Sequence, residues 1–357
     1  MRKQQSSFSW DWGPAFAPQS LYENVIVKII HSYDMSFSVS VYPKDFNQNG
    51  PIDLNNWIID IDLTIQPYIK NILDKTATIK VKIPDLPDTN FVDQTIQLDT
   101  SNTKTIRNLK LTYAIKSSDL FKDILWYPNG FGKPNLFELN VECQIDGKSV
   151  NKQRTIGFRS IKLIQDQLNP NDPSHGDKFL FEVNNKPVFL KGSNWIPADS
   201  FQENISEDYM IWLMSLAKDY NMNSLRIWGG GLYERKQFYD LADQFGILIW
   251  HDFMFACSVY PTNPDFLTNV QQEVVYQVNR LRNHPSILLW AGNNENEVAL
   301  AHSWYNTNPD RDLYFNDYRK LYVDVLRTTI RSIEPEASSL FFVYIYDYFN
   351  ILIMIKC

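Results

Sequence analysis

A short apolar run that ends in amide and carboxylate side chains is the part of this sequence best suited to chemistry. The run extends from Ile287 to Trp290, and Asn293, Asn294 and Glu295 follow it closely. An uninterrupted apolar run of this length is typical of a parallel strand covered on both faces. In parallel barrels the reacting groups lie at the carboxyl ends of the strands. Glu295 is therefore a candidate acid for protonating a leaving-group oxygen, and Asn294 a candidate partner of a sugar hydroxyl.

The polar residues at these strand ends also allow a purely structural interpretation. Glu295 could be a solvated carboxylate in a loop. Arg226 lies near the end of another apolar run, where an arginine could form a satisfied buried ion pair. His251 and Asp252 follow a third run, and we interpret them as polar caps of a strand end that lie outside the site.

Size and charge restrict the class of protein. A chain of 357 residues with 44% hydrophobic residues can bury more than one core, which predicts about two or three domains. The net charge of -7 argues against a nucleic-acid partner and against an anionic membrane, because either would require a basic patch. The oligomeric state stays open.

Cysteine and histidine are too sparse to predict a disulfide framework or a metal centre. The cysteines are Cys143, Cys257 and Cys357, and their spacing is not that of zinc ligands. The five histidines show no HExxH pattern. We therefore expect no metal and no cofactor, and we interpret the cysteines as buried or free thiols.

The N-terminal residues lack the long apolar core of a signal peptide. Asn204 begins a permitted glycosylation sequon, Asn204-Ile205-Ser206, of the kind found in secreted proteins. We expect a parent protein of the secretory pathway or the lysosome, whose start would lie upstream of Met1.

Residues 20 to about 165 alternate apolar and polar side chains in short runs separated by Pro, Gly, Asn and Asp. This pattern predicts antiparallel sandwich strands with one face in a core and the other in water. Four such runs are Asn24 to Lys28, Ile58 to Leu63, Thr78 to Ile83 and Phe137 to Val141.

From Phe179 onward, apolar runs alternate with segments of helical period. The predicted strands are Val188 to Leu190, Ser224 to Ile227, Ile247 to Trp250 and Ile287 to Trp290. Four strand-helix units in series are typical of half of a (β/α)8 barrel. A doubly wound sheet is the weaker alternative, because Gly229-Gly230-Gly231 lacks the GxGxxG spacing of a dinucleotide site. These glycines suit a close approach of backbone to a ligand.

The helical segments are predicted from apolar stripes and caps. One helix would begin after Ser206 as N-cap and carry one stripe of apolar side chains: Tyr209, Trp212, Leu213, Leu216 and Tyr220. A second would place Phe238, Leu241, Ala242 and Phe245 on one face and end at Gly246. A third, about Pro264 to Asn283, would bury Val270, Val274, Val278 and Leu281. A fourth would run from about Asp310 to Ile333.

Several motifs together resemble the β-mannosidase branch of glycoside hydrolase family 2. They are WYPNGFGKPNLFELNVE (126–142), RTIGFRSIKL (154–163), FLKGSNWIPADSF (189–201), LRIWGGGLYE (225–234) and RNHPSILLWAGNNENE (282–297). FSWDWGPAFAPQ (8–19) resembles the end of the family's N-terminal sugar-binding-like sandwich. The resemblance extends from Ser7 to about Ser339, and it implies a retaining exo-glycosidase acting on terminal β-linked mannose, with no cofactor.

The resemblance also implies roles for individual residues. Glu295 matches the general acid/base, and Asn294 matches the asparagine that contacts the 2-hydroxyl of the sugar. Arg226 is similar to the arginine that orients the nucleophile.

Aromatic residues complete the implied sugar site. Trp195 is similar to a wall of the glycone pocket, and Trp10, Asp11 and Trp12 are similar to a loop that reaches the far hydroxyls of the sugar. From the residues alone, Trp195 and Trp12 could equally be core aromatics.

Retaining hydrolysis needs a second carboxylate about 5 to 5.5 Å from the first. In the family it comes from the seventh strand, and we expect this chain to stop after the fourth helix. Its last segment, Leu340 to Cys357, departs from the family and is nearly all apolar and aromatic. It is short for a membrane span and too long for a fifth strand, and we interpret it as an artefact of the gene model.

These observations predict a multidomain β and α/β protein. The predicted parts are a remnant of a jelly-roll, sugar-binding-like sandwich (1–31), an Ig-like β-sandwich (32–165), the N-terminal half of a catalytic TIM barrel (178–339) and a divergent apolar tail (340–357). The substrate would be a β-mannoside oligosaccharide. Two alternatives stay open: an inert or weakly sugar-binding fragment, and another exo-glycosidase of the same family.

Overall fold

An all-β region precedes a parallel sheet with helices in this chain. A computed structural model describes residues 3–19, 21, 25–30, 32–68, 75–86, 91–98, 105–116, 120–334, 340–346 and 352–355. The all-β region contains β1 (Tyr33–Pro43), β2 (Asn56–Pro67), β3 (Thr76–Lys82), β4 (Phe91–Gln97), β5 (Thr105–Ala114), the short helix α1 (Phe121–Ile124), β6 (Phe137–Ile145) and β7 (Lys148–Ile156).

Two antiparallel sheets share the first hydrophobic core. One has the strand order β1-β2-β5 and the other β4-β3-β6-β7. Every second side chain of β2 is fully buried from Trp57 to Ile65, which confirms the period-two prediction for this strand. The strands predicted near Thr78 and Phe137 are also present, as β3 and β6. All buried members of this core lie between Tyr33 and Phe158.

The strand predicted for Asn24 to Lys28 is wrong over its described residues, and Asn24 lies outside them. Residues 25–30 form no strand. The side chains of Val25, Ile26 and Val27 are 76%, 85% and 86% exposed. High β-propensity is realised only where a neighbouring strand supplies the hydrogen bonds and a packing surface. Among the described residues, no strand pairs with this segment.

A small antiparallel sheet joins the two regions. It consists of β8 (Ile161–Ile164), β9 (Leu180–Val183) and β10 (Lys186–Val188), in the order β10-β9-β8. The predicted domain boundary near residue 165 therefore separates two strands that pair with each other. Ile161, Leu163 and Phe181 pack in one cluster with Leu248 and Leu288 of the parallel sheet, so β8 belongs with the barrel side of the chain.

The parallel sheet begins with four strands: β11 (Gly192–Trp195), β12 (Ser224–Ile227), β13 (Leu248–Asp252) and β14 (Ile287–Ala291). They pair in chain order, as the predicted half-barrel requires. The last three match predicted strands. The first was predicted at Val188 to Leu190 and actually begins at Gly192, because Val188 belongs to the β9–β10 hairpin.

The intervening helices are α2 (Glu207–Asp219), α3 (Lys236–Phe245) and α4 (Pro264–Leu281). The Ser206 side chain caps α2 by accepting from Tyr209 N, and Gly246 ends α3 with φ of 71°, both as predicted. The four predicted apolar residues of α4 are buried.

The predicted stripe on α2 is wrong. Tyr209, Trp212 and Tyr220 are 37%, 53% and 75% exposed, and the buried side chains are Met210, Met214 and Ala217. The helix carries apolar residues on two adjoining faces. The smaller and unbranched side chains face inward, since they allow closer packing.

The chain then continues through α5 (Asn296–Ala301), α6 (Arg311–Tyr318), a π-helical stretch (Arg319–Arg327), α7 (Thr328–Ile333), β15 (Leu340–Tyr346) and β16 (Leu352–Ile355). The predicted fourth helix is present as three consecutive helical segments. In the described part of the chain, no helix is long and apolar enough to cross a membrane.

The C-terminal segment differs from its prediction. Strand β15 pairs in parallel with β14, and β16 pairs antiparallel with β15. The segment was judged too long for a fifth strand, but it divides into two strands. The carboxyl half of β14 therefore has a neighbour on the side where we expected an open edge.

Candidate active site

An ion pair across two neighbouring strands forms the centre of the candidate site. Arg226 on β12 and Asp252 at the end of β13 form a bidentate pair, with Nη2–Oδ2 of 2.6 Å and Nε–Oδ1 of 3.2 Å. Asp252 is fully buried and also accepts hydrogen bonds from Trp250 Nε1 and the backbone N–H of Gly229. Burial raises the pKa of Asp252 to about 6, against the opposing effect of Arg226.

Arg226 connects the ends of four strands. Its Nη2 donates to Asn294 Oδ1 at 2.8 Å, and its Nη1 donates to Asn194 Oδ1 at 3.2 Å. Asn194 lies on β11, Asp252 on β13, and Asn294 follows β14. Because the strands are parallel and in register, side chains distant in sequence meet at one edge of the sheet. Planar guanidinium geometry suits this kind of convergent bonding.

Asn294 and Glu295 lie in contact beside this network. Asn294 Nδ2 is 3.3 Å from Glu295 Oε2. Asn294 is 7% exposed, whereas the Glu295 side chain is exposed. Glu295 has φ of 58°, a left-handed conformation that is uncommon outside glycine and asparagine. The structure thus brings the candidate acid and its neighbouring amide to the open side of the parallel sheet.

Cys257 is a third member of this group. Its Sγ lies 3.3 Å from Glu295 Oε2 and 3.3 Å from Asn294 Nδ2. Its backbone N–H donates to Asn294 O at 2.8 Å.

The N-terminal segment crosses the same edge of the sheet. The backbone N–H of Ser6 donates to Gly230 O, and Gln5 Nε2 donates to Ala256 O. The rings of Trp10 and Trp12 lie 4.7 and 5.7 Å from the ring of Trp228, which follows β12.

The Trp10 to Gly13 turn therefore lies beside the group around Cys257. Trp10 is partly buried against the small cluster of Trp228, Ala256 and Cys257. Trp12 is 48% exposed, and Asp11 is exposed. Asp11 and Trp12 thus have surface available to a ligand.

Trp195 lies at the end of β11, on the other side of Arg226. Its Nε1 donates to Glu234 Oε1 at 2.9 Å, and its ring lies 4.9 Å from the ring of Phe238. Trp195 is partly buried, so one face packs on α3 while part of the indole remains accessible. Burial raises the pKa of Glu234.

Gly229 and Gly230, which follow β12, lie close to other residues of this chain, with no room for a side chain. A Cβ on Gly229 would lie 2.6 Å from Phe255 O, and one on Gly230 would lie 2.0 Å from the Trp228 ring. We predicted a close approach of backbone to a ligand. The observed neighbours are the loop after β13 and the indole that supports Trp10 and Trp12.

Sequence reasoning missed Asp252, Cys257 and Asn194. We left Asp252 out of the predicted site and interpreted it as a cap of a strand end. It follows an apolar run just as Glu295 does, and that position was the reason for choosing Glu295. Asn194 precedes Trp195 in a motif that was noticed for its tryptophan. Nothing in the spacing of Cys257 indicated a place beside Glu295, since 38 residues separate them.

Asn204, the predicted glycosylation site, makes its side-chain contacts outside this network. It ends a 3-10 turn, is exposed, and its Nδ2 lies 3.5 Å from both carboxylate oxygens of Asp199. Its glycosylation stays a prediction. Within the described ranges, no group of three or more His, Cys, Asp or Glu side chains could hold a metal ion.

Comparison with known families agrees with this geometry. Residues 176–308 match the model of the TIM barrel domain of glycosyl hydrolases family 2. The chain belongs to glycosyl hydrolase family 2.

Within that family, the chain is similar to β-mannosidases. It is 37% identical to the β-mannosidase of Mus musculus over 334 residues, which is 93% of this chain and 36% of that protein. It is 39% identical to the β-mannosidase of Rattus norvegicus over 341 residues, again 93% of this chain and 36% of that protein. The chain therefore spans little more than a third of the length of the curated relatives it matches.

Solved structures give the same result. The β-D-mannosidase from Dictyoglomus thermophilum superimposes with a TM-score of 0.75 at 31% identity, covering 95% of this chain and 38% of that one. A β-glucuronidase of Bacteroides uniformis superimposes with a TM-score of 0.64 at 16% identity, over 85% of this chain and 32% of that one, and supports the fold alone.

Proposed function

We propose that this chain carries the acid/base part of a retaining β-mannosidase site. The protein to which it belongs would remove terminal β-linked mannose from the non-reducing ends of oligosaccharides. The observation that carries the proposal is the convergence of Arg226, Asn294 and Glu295 at the carboxyl edge of the parallel strands. The identities of 37% and 39% to mammalian β-mannosidases support mannose over the other sugars of the family.

The finer architecture is part of the same proposal. The two sheets around the first core would form an Ig-like sandwich, preceded by a remnant of a jelly-roll sandwich (1–31) that contains the Trp10 to Gly13 turn. The parallel sheet would be the first half of a catalytic barrel. Five parallel strands among the described residues, β11 to β15, support this reading.

In the proposed reaction, Glu295 protonates the departing glycosidic oxygen and later activates water. Asn294 Nδ2 donates to the sugar 2-hydroxyl in place of one of its two contacts with Cys257 Sγ and Glu295 Oε2. Arg226 donates to Asn294 Oδ1 and so sets the direction of the amide. A second carboxylate, which forms the glycosyl-enzyme bond, would come from a strand outside the described residues. No cofactor takes part.

The aromatic side chains would shape the sugar site. Trp195 would form one wall, because its indole N–H is already bonded to Glu234 and the ring is held against Phe238. Trp10, Asp11 and Trp12 would approach the far hydroxyls, as their packing on Trp228 supports.

We further propose the lysosome or the secretory pathway as the location of the parent protein. The exposed sequon at Asn204 supports this location. Burial raises the pKa of Asp252 to about 6 and that of Glu297 to about 7. The folded state is therefore more stable at acid pH, where these buried carboxyls are protonated.

Chemical rescue tests the function on the chain itself. A small anion can replace a missing carboxylate nucleophile: azide attacks the anomeric carbon from the face opposite the leaving group, the C–O bond to that group breaks, and α-mannosyl azide forms. We expect the purified chain to release little phenol from an aryl β-mannoside in buffer. Azide or formate should increase release, with α-mannosyl azide as the product when azide is used.

The sugar specificity provides the control. Aryl β-glucuronide and aryl β-galactoside should release no additional phenol when azide is added. A folded chain that shows no anion-dependent release from β-mannoside would refute the proposal, and so would equal release from all three glycosides. Turnover without any anion would show that the second carboxylate lies within the chain.

A further inference from the structure

The Cys257 thiol closes a triangle with the two residues proposed to contact the sugar. Cys257 Sγ, Asn294 Nδ2 and Glu295 Oε2 lie 3.3 Å from one another in each pair. A thiol group donates one hydrogen bond and accepts others weakly. The geometry allows Sγ–H to donate to the carboxylate while the sulfur accepts from the amide.

Backbone bonds hold this triangle in place. Ala256 and Asn294 form a parallel bridge, Cys257 N–H donates to Asn294 O at 2.8 Å, and Asn294 N–H donates to Phe255 O at 2.9 Å. The loop after β13 and the loop after β14 are thus paired at this point, although 37 residues separate Cys257 from Asn294.

Two residues of the triangle have a left-handed backbone. Cys257 has φ of 46° and Glu295 has φ of 58°. For residues with a Cβ this conformation is strained, and it persists where surrounding contacts determine it. The same contacts direct both side chains toward each other.

Burial keeps the thiol in its protonated form. Cys257 is 9% exposed, and burial raises the pKa of its thiol to about 12. A thiol of this kind is a poor nucleophile. It remains available as an S–H donor at every pH at which a glycosidase works.

We propose that Cys257 is a positioning residue for Glu295, through an S–H donated to Oε2. The proposal rests on the proposed function and deepens it. Both Cys257 and Asn294 contact Oε2, so the proposal assigns the transferable proton to Oε1. Without the thiol, the carboxyl would rotate among its conformers, and an exposed Glu295 has the room to do so.

A leaving-group comparison tests this role. The chain and its Cys257→Ala and Cys257→Ser variants would be assayed with azide on 4-methylumbelliferyl and 2,4-dinitrophenyl β-mannoside. Acid assistance matters only for the more basic leaving group. We expect Cys257→Ala to slow release of methylumbelliferone about tenfold and of dinitrophenol less than about twofold. Cys257→Ser keeps a donor and should stay within about threefold of the parent chain on both substrates.

Cys143 supplies a matched control. It is a second fully buried thiol whose pKa is also raised to about 12 by burial, but it lies on β6 in the sandwich core. Cys143→Ala should leave the ratio of the two rates unchanged.

The outcomes separate the two proposals. If the parent chain shows no azide-dependent release, the proposed function fails. If the parent chain is active and Cys257→Ala slows both substrates equally, or neither, Cys257 has only a packing role and this inference alone is overturned. Circular dichroism and urea unfolding of each variant identify a loss caused by misfolding, which would also affect both substrates equally.

Discussion

Arg226 shows how one side chain can form a buried ion pair and also contact the candidate site. It forms the buried ion pair that the structural interpretation required, with Asp252 as its partner. It also bonds Asn294, the neighbour of the candidate acid. The side chain of Arg226 is 29% exposed, so one part remains accessible from the site while the other is paired. A buried carboxylate thus orients an arginine that also contacts the candidate site.

Replacing Glu295 with glutamine tests its role as the acid. In the azide-rescued reaction, Glu295→Gln should reduce release of methylumbelliferone by at least about tenfold and leave release of 2,4-dinitrophenol nearly unchanged, because a good leaving group needs no proton. Stopped-flow or initial-rate assays of both substrates measure the difference. Equal losses on the two substrates would assign Glu295 another role.

Glu297 makes stability depend on pH. It is 6% exposed, Tyr318 OH donates to its Oε2 at 3.4 Å, and burial raises its pKa to about 7. The folded state therefore binds this proton more tightly than the unfolded state. Stability should fall as the pH rises from about 4.5 to above 7, by on the order of 3 kcal/mol.

The Glu297→Gln variant removes this titration. Urea unfolding at about pH 5 and about pH 8 should show a smaller loss of stability for the variant than for the parent chain. Asp252 contributes in the same direction at lower pH, since its pKa is also raised. Identical pH dependence in the two proteins would contradict the assignment.

At the scale of elements, helix ends and the buried face of α4 were predicted correctly, but the buried face of α2 was not. The Ser206 cap and the Gly246 end of α3 follow from residues within one turn, and the four buried residues of α4 follow from its helical period. The inward face of α2 depended on the shape of the sheet beneath it, which no helical period encodes. The first parallel strand lies further along the chain than predicted, because Val188 pairs in the β9–β10 hairpin.

Gly192 permits the pairing of the first two parallel strands. A Cβ at this position would lie 1.8 Å from the backbone oxygen of Ser224, its register partner on β12. Gly192→Ala should force β11 away from β12 and destabilise the parallel-sheet region by about 3 kcal/mol or more. Because β11 carries Asn194 and Trp195, azide-rescued activity should fall as well.

Gly13→Ala is the matched control, since a Cβ at Gly13 would have no atom within 4 Å. Urea unfolding followed by tryptophan fluorescence compares the two variants. A Gly192→Ala protein as stable as the parent chain would show that β11 is not held in this register.

At the scale of the whole molecule, polar bonds attach the sandwich to the barrel side of the chain. Arg282 at the end of α4 donates to Asp62 Oδ2 at 2.7 Å and to Ser38 Oγ at 2.8 Å. Arg159 donates to the backbone oxygens of Pro285 and Ile287, beside the start of β14. Apolar contacts also cross between the regions, because Trp126 packs in one cluster with Leu248 and Leu288 of the parallel sheet.

The sandwich should fold by itself. All buried residues of its core lie within 33–158, so we expect a chain of residues 32–158 to be soluble and monomeric and to unfold cooperatively. The complete chain should be less soluble, because Phe341 to Tyr346 is a run of high β-propensity without charge or proline. Parallel expression and size-exclusion chromatography of the two chains test this.

Because β15 pairs with β14, the edge of β14 is partly covered, and we expect a smaller loss of solubility for the complete chain than the sequence alone suggested. A soluble, monomeric complete chain with cooperative unfolding of its α/β region would show that the β14–β15–β16 arrangement is self-sufficient. Such a result would overturn the interpretation of the C-terminal segment as an artefact.

The sequence by itself determined the division into an all-β region and an α/β region. It also determined most strand and helix positions, and the candidate acid with its neighbouring amide. These are local properties, because alternation, helical period and capping depend on residues a few positions apart. Tertiary structure alone decided that Asp252 directs Arg226, that Arg226 bonds Asn294, and that Cys257 contacts Glu295. Those partners lie 26, 68 and 38 residues apart, and only the register of parallel strands and the pairing of their loops brings them together.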